Sequence, residues 1–135
     1  MKVLRSVGAV VGGYVLLGTA SELLFYLSGR NPHAPASAAF ITLTSVYGFF
    51  FAALAGYLTA LIAGRLELFH AAVLACLLAL IALLSLLADL RTGSMWSQLV
   101  ALLLMAPAVL IGAMIRFNMT RLKKTDEPPR PLVQQ

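Results

Sequence analysis

Four long apolar runs, residues 7–27, 38–63, 68–88 and 96–117, follow one another along this chain with only short polar interruptions between them. Each run has the roughly 20 residues that a helix rising about 1.5 Å per residue needs to cross a hydrocarbon core. Such a core offers no water to the backbone, and a helix satisfies its own N–H and C=O groups within the segment. The sequence therefore predicts an all-α membrane protein, an antiparallel four-transmembrane-helix bundle with short loops that occupies residues 1–119. The chain is 61% hydrophobic and only 11% charged, against the roughly 25% charged residues of a soluble domain. A water-soluble fold could not hide that much apolar surface.

The interruptions fix the topology. Pro32 and Pro35, in the segment Asn31-Pro32-His33-Ala34-Pro35, end the first helix and open the second. Gly64, Arg65, Leu66 and Glu67 alone separate the second run from the third, so those helices must be antiparallel neighbours. The third and fourth are joined almost as tightly, by residues 89–95. Gly18 and Ala20 before Ser21 fit a signal-peptide cleavage site, but hydrophobicity resumes from Leu23 to Leu27 and completes a full uncleaved span. Residues 120–135, with Lys123, Lys124, Asp126, Glu127, Pro128, Pro129 and Pro131, cannot bury a core and read as a disordered basic cytoplasmic tail.

Charge sets the orientation. Lys2, Arg5, Arg65, Arg116, Arg121, Lys123, Lys124 and Arg130 fall on the side that carries both termini, and Arg30 and Arg91 on the other. By the positive-inside rule both termini are cytoplasmic. The net charge of +5 does not point to nucleic acid, because the basic residues flank apolar runs and are not interleaved with aromatics.

Membrane helices associate by close backbone packing, since lipid tails are as apolar as leucine. The second run carries small residues at a spacing of four, Gly48, Ala52, Gly56, Ala60 and Gly64, and the first carries Gly8 and Gly12 beside Ala9 and Gly13. These patterns predict a tight crossing of the first two helices near their cytoplasmic halves, or a seam with a second copy. The third run, without glycine from Ala72 to Ala88, reads as a lipid-facing wall. Pro107 should kink the fourth helix or line a small gap, with Gly112 allowing close contact beyond it.

Glu22 is the one acidic residue well inside a predicted span, about 7 to 8 Å from the outer boundary at Leu27. An ionisable group at such depth is a functional candidate by default. Thr44, Tyr47, Ser85 and Gln98 fall at comparable levels, and together with Glu22 they form the candidate ligand or proton site, with Arg30, Asp89, Arg91 and Trp96 at its rim. An interhelical hydrogen bond of Glu22 is the plainer reading of the same residue. Glu67 and His70, three residues apart, read as an interfacial pair at a helix start. Tyr14 and Tyr57 read as a packing pair. No metal spacing, nucleophile elbow, phosphate-binding loop or intramembrane histidine pair is present, so the sequence predicts no catalytic residue, metal or other cofactor. Cys76 is the sole cysteine and excludes a disulfide framework.

Arg5-Ser6-Val7-Gly8-Ala9-Val10, Val46-Tyr47-Gly48, Ala55-Gly56-Tyr57-Leu58-Thr59-Ala60 and His70-Ala71 resemble a group of small, uncharacterised bacterial four-span membrane proteins. The likeness covers the first three helices and implies this architecture in a bacterial inner membrane, with no activity attached. The small multidrug resistance family is similar in having four short helices and a membrane glutamate in the first, which binds cationic substrate and protons alternately. This chain departs from it in the outer position of Glu22 and in carrying its small-residue ridge on the second helix.

Two roles follow as expectations. The first is a non-enzymatic helical bundle that associates with other membrane components in the lipid bilayer, either a second copy or another membrane protein. The alternative is a small proton-coupled transporter or ligand-binding membrane protein that uses Glu22. The orientation is directly testable. Alkaline phosphatase fused after Gln135 in a bacterial host is expected to be inactive, and a green fluorescent protein at the same place fluorescent; the opposite pattern contradicts the charge count.

Overall fold

The computed structural model describes residues 2–90 and 94–125. Among them, helix α1 spans Lys2–Ser28, α2 Ala38–Ala63 and α3 Glu67–Asp89. The fourth span is composite: α4 is Trp96–Val100, a π turn covers Ala101–Met105, and α5 is Ala106–Thr125. All four spans are long and apolar enough to cross a membrane, and the protein is an all-α four-helix bundle. Arg91 and the tail from Asp126 onward lie outside the described residues.

Local chemistry explains where the helices begin and end. Ser37 sits in extended backbone ahead of α2, and its hydroxyl accepts a 3.3 Å bond from the Phe40 N–H, satisfying one of the orphan donors of a helix start. Gly64 closes α2 at φ +63°, where a side chain would be strained, and returns its N–H to the Ala60 carbonyl. The Arg5 Nε–H of α1 donates to the Ile62 carbonyl at 2.6 Å, so a cation meets the negative end of α2. The first helix starts earlier than its apolar run because Lys2 to Ser6 continue the backbone ladder.

Helix α5 likewise extends to Thr125, six residues into the segment expected to be a disordered tail. Lysine and arginine are good helix formers and favour a helix C-terminus, so basic composition marks the end of the apolar run here and not the end of the helix.

Helix α2 is the hub, packed against α1, α3 and the fourth span, whereas α1 touches α2 and α3 but not α5. The core between them is built largely of alanine, with Ala9, Ala52, Ala55, Ala60, Ala71, Ala108 and Ala113 buried around Leu17, Leu74 and Val109. Small side chains let backbones approach, which is how helices gain contact in lipid.

The closest approach is not the one expected between α1 and α2. A Cβ on Gly56 would collide with the Val109 carbonyl of α5, and a Cβ on Gly112 with the Ala53 carbonyl of α2. The glycine seam thus joins α2 to α5. Ala52 and Ala60 on the same ridge are fully buried, and Gly48 faces the Met105 side chain of the π turn. Between α1 and α2 the intimate contact is at Gly13, where a Cβ would meet the Thr59 hydroxyl and the Leu74 side chain. Gly12 finds only Ile62 at 3.5 Å, and Gly8 has nothing within 4 Å. Helix α3 is more than a wall: Glu67, His70, Ala71, Leu74, Ala75 and Ala82 form a buried face, and Leu80, Leu84 and Leu87 remain exposed.

Pro107 lacks the N–H that would bond the Leu103 carbonyl, and its ring crowds that oxygen. The turn just before it is widened, with the Ala106 N–H reaching the Ala101 carbonyl five residues back. The kink expected from Pro107 takes the form of this π turn.

Gly56→Ala and Gly112→Ala are each expected to destabilise the bundle by about 1 to 3 kcal/mol or more through backbone displacement. Gly8→Ala should be neutral or slightly stabilising, because it adds helix propensity in open space. Reversible unfolding in mixed micelles measures all three, and equal effects at Gly8 and Gly56 would rule out the seam.

Candidate functional site

At the end of the bundle where α1 finishes and α4 begins lies a crevice of about 260 Å³, bounded by α1, α2, α3, α4 and the π turn. Its deeper walls are apolar, formed by Leu17, Leu24, Leu78, Ile81 and Met105 with the ring of Tyr14, and its rim carries Pro32, His33, Ser97 and Gln98. Of the residues singled out from sequence, Thr44, Tyr47, Ser85 and Gln98 all line this crevice. Glu22 does not: it is exposed on α1, while its neighbour Ser21 lines the wall. The periodicity of α1 accounts for this, since adjacent residues on a helix point about 100° apart.

A hydrogen-bonded clasp holds the rim. The Asp89 carboxylate oxygen Oδ2 lies 2.6 Å from His33 Nδ1 and 2.7 Å from Gln98 Nε2. A carboxylate only accepts, so Nδ1 carries a proton toward Asp89 and the Gln98 amide donates to the same oxygen. With His33 protonated the contact is an ion pair; its side chains are 49% and 22% exposed for His33 and Asp89. The Ser97 hydroxyl is 2.8 Å from the Pro32 carbonyl and 3.0 Å from Gln98 Oε1, and its single proton is shared between them. Gln98, 4% exposed, also approaches Ser85 Oγ at 3.5 Å.

These bonds fasten the loop between α1 and α2 onto α3 and α4. The loop is shaped for it: the Asn31 side chain accepts from the His33 N–H at 2.9 Å, forming an Asx turn that presents the imidazole. The Ser94 N–H donates to the His33 carbonyl, and the Trp96 indole N–H to the Ala34 carbonyl at 2.9 Å. Beneath, Phe25, Phe40 and Trp96 pack with ring centroids 6.1 to 6.3 Å apart, and the Arg30 guanidinium lies 4.6 Å over Phe40. Such edge-on aromatic groupings and cation–π contacts add to simple burial. The Tyr47 hydroxyl donates to the Ala20 carbonyl at 3.0 Å and ties α2 to α1.

Sequence reasoning placed Asp89 and Trp96 at a rim but missed His33, Ser97 and Ser21. The Asn-Pro-His segment was the available signal for His33, since an Asx turn between prolines fixes the direction of the next side chain. At the opposite end of the bundle, Glu67 and His70 are both buried but are not bonded to each other. His70 Nδ1 donates to the Leu66 carbonyl at 2.9 Å, and Glu67 Oε2 has no partner. Among the described residues no three histidine, cysteine, aspartate or glutamate side chains gather to hold a metal.

Compared with family models, curated proteins and solved structures, the chain matches none of them.

Gln98→Leu removes the buried amide that donates to the half-buried Asp89 carboxylate and is expected to cost about 1 kcal/mol. Loosening of the loop should also shift the emission of Trp96, the sole tryptophan, to longer wavelength as its environment opens to water. Unchanged stability and emission would mean that the clasp does not hold the rim.

Proposed function

We propose that this is a non-enzymatic multi-pass protein of a bacterial inner membrane, akin to the small four-span proteins it resembles, with both termini cytoplasmic. Its role is to associate with another membrane protein through the free face of α1. The observation that carries this reading is Glu22. It is exposed on α1, six residues or about 9 Å from the helix end at Ser28, and no group among the described residues pairs with it. A charged residue at the centre of a spanning helix costs roughly 2.5 to 3.5 kcal/mol, less toward the interface. A basic side chain on a neighbouring helix offsets that cost.

The surroundings suit a docked helix. Val11, Val15, Thr19 and Tyr26 are exposed and share a face with Glu22 by their helical spacing. Gly8 continues that face with open space around it, which permits close approach. The backbone of helix α1 lies against α2 and α3, and only Phe25 at its end reaches α4, at Trp96. A second copy packed on this face would set Glu22 against Glu22, so charge favours a different, basic partner.

The test uses a polyleucine transmembrane peptide carrying one lysine at the depth of Glu22, with an all-leucine peptide as control. Energy transfer to the labelled protein in liposomes is expected to show about tenfold tighter association of the lysine peptide, a difference of about 1.4 kcal/mol. Glu22→Gln should erase the difference. Equal association of both peptides overturns the reading, and release of protons on adding lipophilic cations, abolished by Glu22→Gln, favours transport in its place.

A further inference from the structure

The outer crevice carries chemistry that the α1 face does not use. Thr44 lines it and is 8% exposed, and its hydroxyl is buried with no hydrogen-bond partner. Threonine in a helix ordinarily returns its hydroxyl to the carbonyl four residues back. Thr42 does so, donating to the Ala38 carbonyl at 2.9 Å, but Thr44 does not. A buried hydroxyl left unmade is costly, and it sits in the wall of a cavity lined also by Ser21 and Ser85. Thr44 lies six residues below the start of α2, about 9 Å down from the rim. Farther in, the walls are apolar as far as Tyr14, eleven residues or about 16 Å along α1 from Phe25.

We propose that the crevice binds one uncharged single-chain amphiphile, a long-chain alcohol or monoacylglycerol, with its hydroxyl on Thr44 and its alkyl chain along Leu17, Leu78 and Met105. Three arguments select this class. The volume, about 260 Å³, lies just below the range of drug-sized pockets, which admits one slender chain and excludes a two-chain lipid. The groups that line the crevice around Thr44, those of Ser21, Tyr47 and Ser85, are hydroxyls, which donate and accept alike. The Asp89 carboxylate is already engaged by His33 and Gln98, so a charged head would enter without a free counter-ion, at the desolvation cost that buried charge carries.

Trp96 supplies the readout, because its ring centroid is 6.3 Å from that of Phe25, which lines the crevice. The full-length protein in lipid nanodiscs is titrated with a bromine-labelled decanol, a heavy-atom quencher of tryptophan. Saturable quenching is expected. Gly18→Leu, which fills a wall position with nothing within 4 Å of its Cβ, should abolish saturation. Thr44→Val should weaken binding about five- to tenfold, the worth of one hydrogen bond, while leaving the fold at least as stable because no existing bond is lost.

Quenching that never saturates, or that is the same in Gly18→Leu, reports bulk partitioning and overturns the proposal. Wild-type affinity in a folded Thr44→Val overturns the role of Thr44. Tighter binding of the equivalent alkylammonium or carboxylate overturns the uncharged head.

Discussion

The arrangement of the whole bundle depends on the backbone contact of α2 with α5 at Gly56 and Gly112. In water the apolar effect would draw any two such helices together; in lipid the gain must come from contact itself, and contact is closest where two backbones meet without side chains between them. Each glycine is met by a carbonyl of the opposite helix, so the two positions lock reciprocally. That lock sets α5 against α2, brings α3 in along both, and leaves the α1 backbone packed only on α2 and α3.

From this asymmetry the shape of the crevice follows. Helix α1 is drawn close to α2 at Gly13 but its backbone does not approach α5, so a crevice remains between α1 and the start of the fourth span. The π turn before Pro107 lines the same space through Ala101 and Met105. The clasp of His33, Asp89 and Gln98, with the aromatic group beneath it, then bridges the gap that packing leaves. Polar bonding at one end and glycine contact in the middle divide the work of holding four helices together.

The four spans were legible because run length is itself the signal, and α2 begins and ends where its proline loop and Gly64 imply. Partner choice was not legible. The spacing Gly48, Ala52, Gly56, Ala60 and Gly64 defines a face of α2, but a face does not name the helix it will meet, and the complementary residue on α5 is the single Gly112. Nor was the rotation of α1. That helix is apolar all around, so nothing in its pattern tells whether Glu22 or Ser21 turns inward. Thr44, Tyr47, Ser85 and Gln98 could be grouped by depth alone because α2, α3 and α4 all reach the same crevice; Glu22 shares their depth and not their direction. The end of α5 was misjudged because lysine and arginine are equally at home in a tail and in a helix that leaves the membrane.

The α2–α5 seam also has a consequence in time. Its halves, Gly56 and Gly112, are separated by the whole of the third span and the start of the fourth, so a ribosome delivers α2 to the membrane well before the helix that covers it. During that interval the hairpin of α1 and α2 can already close through Arg5 and Gly13, while the ridge around Gly56 faces lipid uncovered. The protein is thus vulnerable at a specific moment of synthesis, when any other nascent helix with a small-residue stripe can occupy the place meant for α5. The three-residue link from α2 to α3 and the short one that follows shorten that exposure by holding the later spans beside the waiting face.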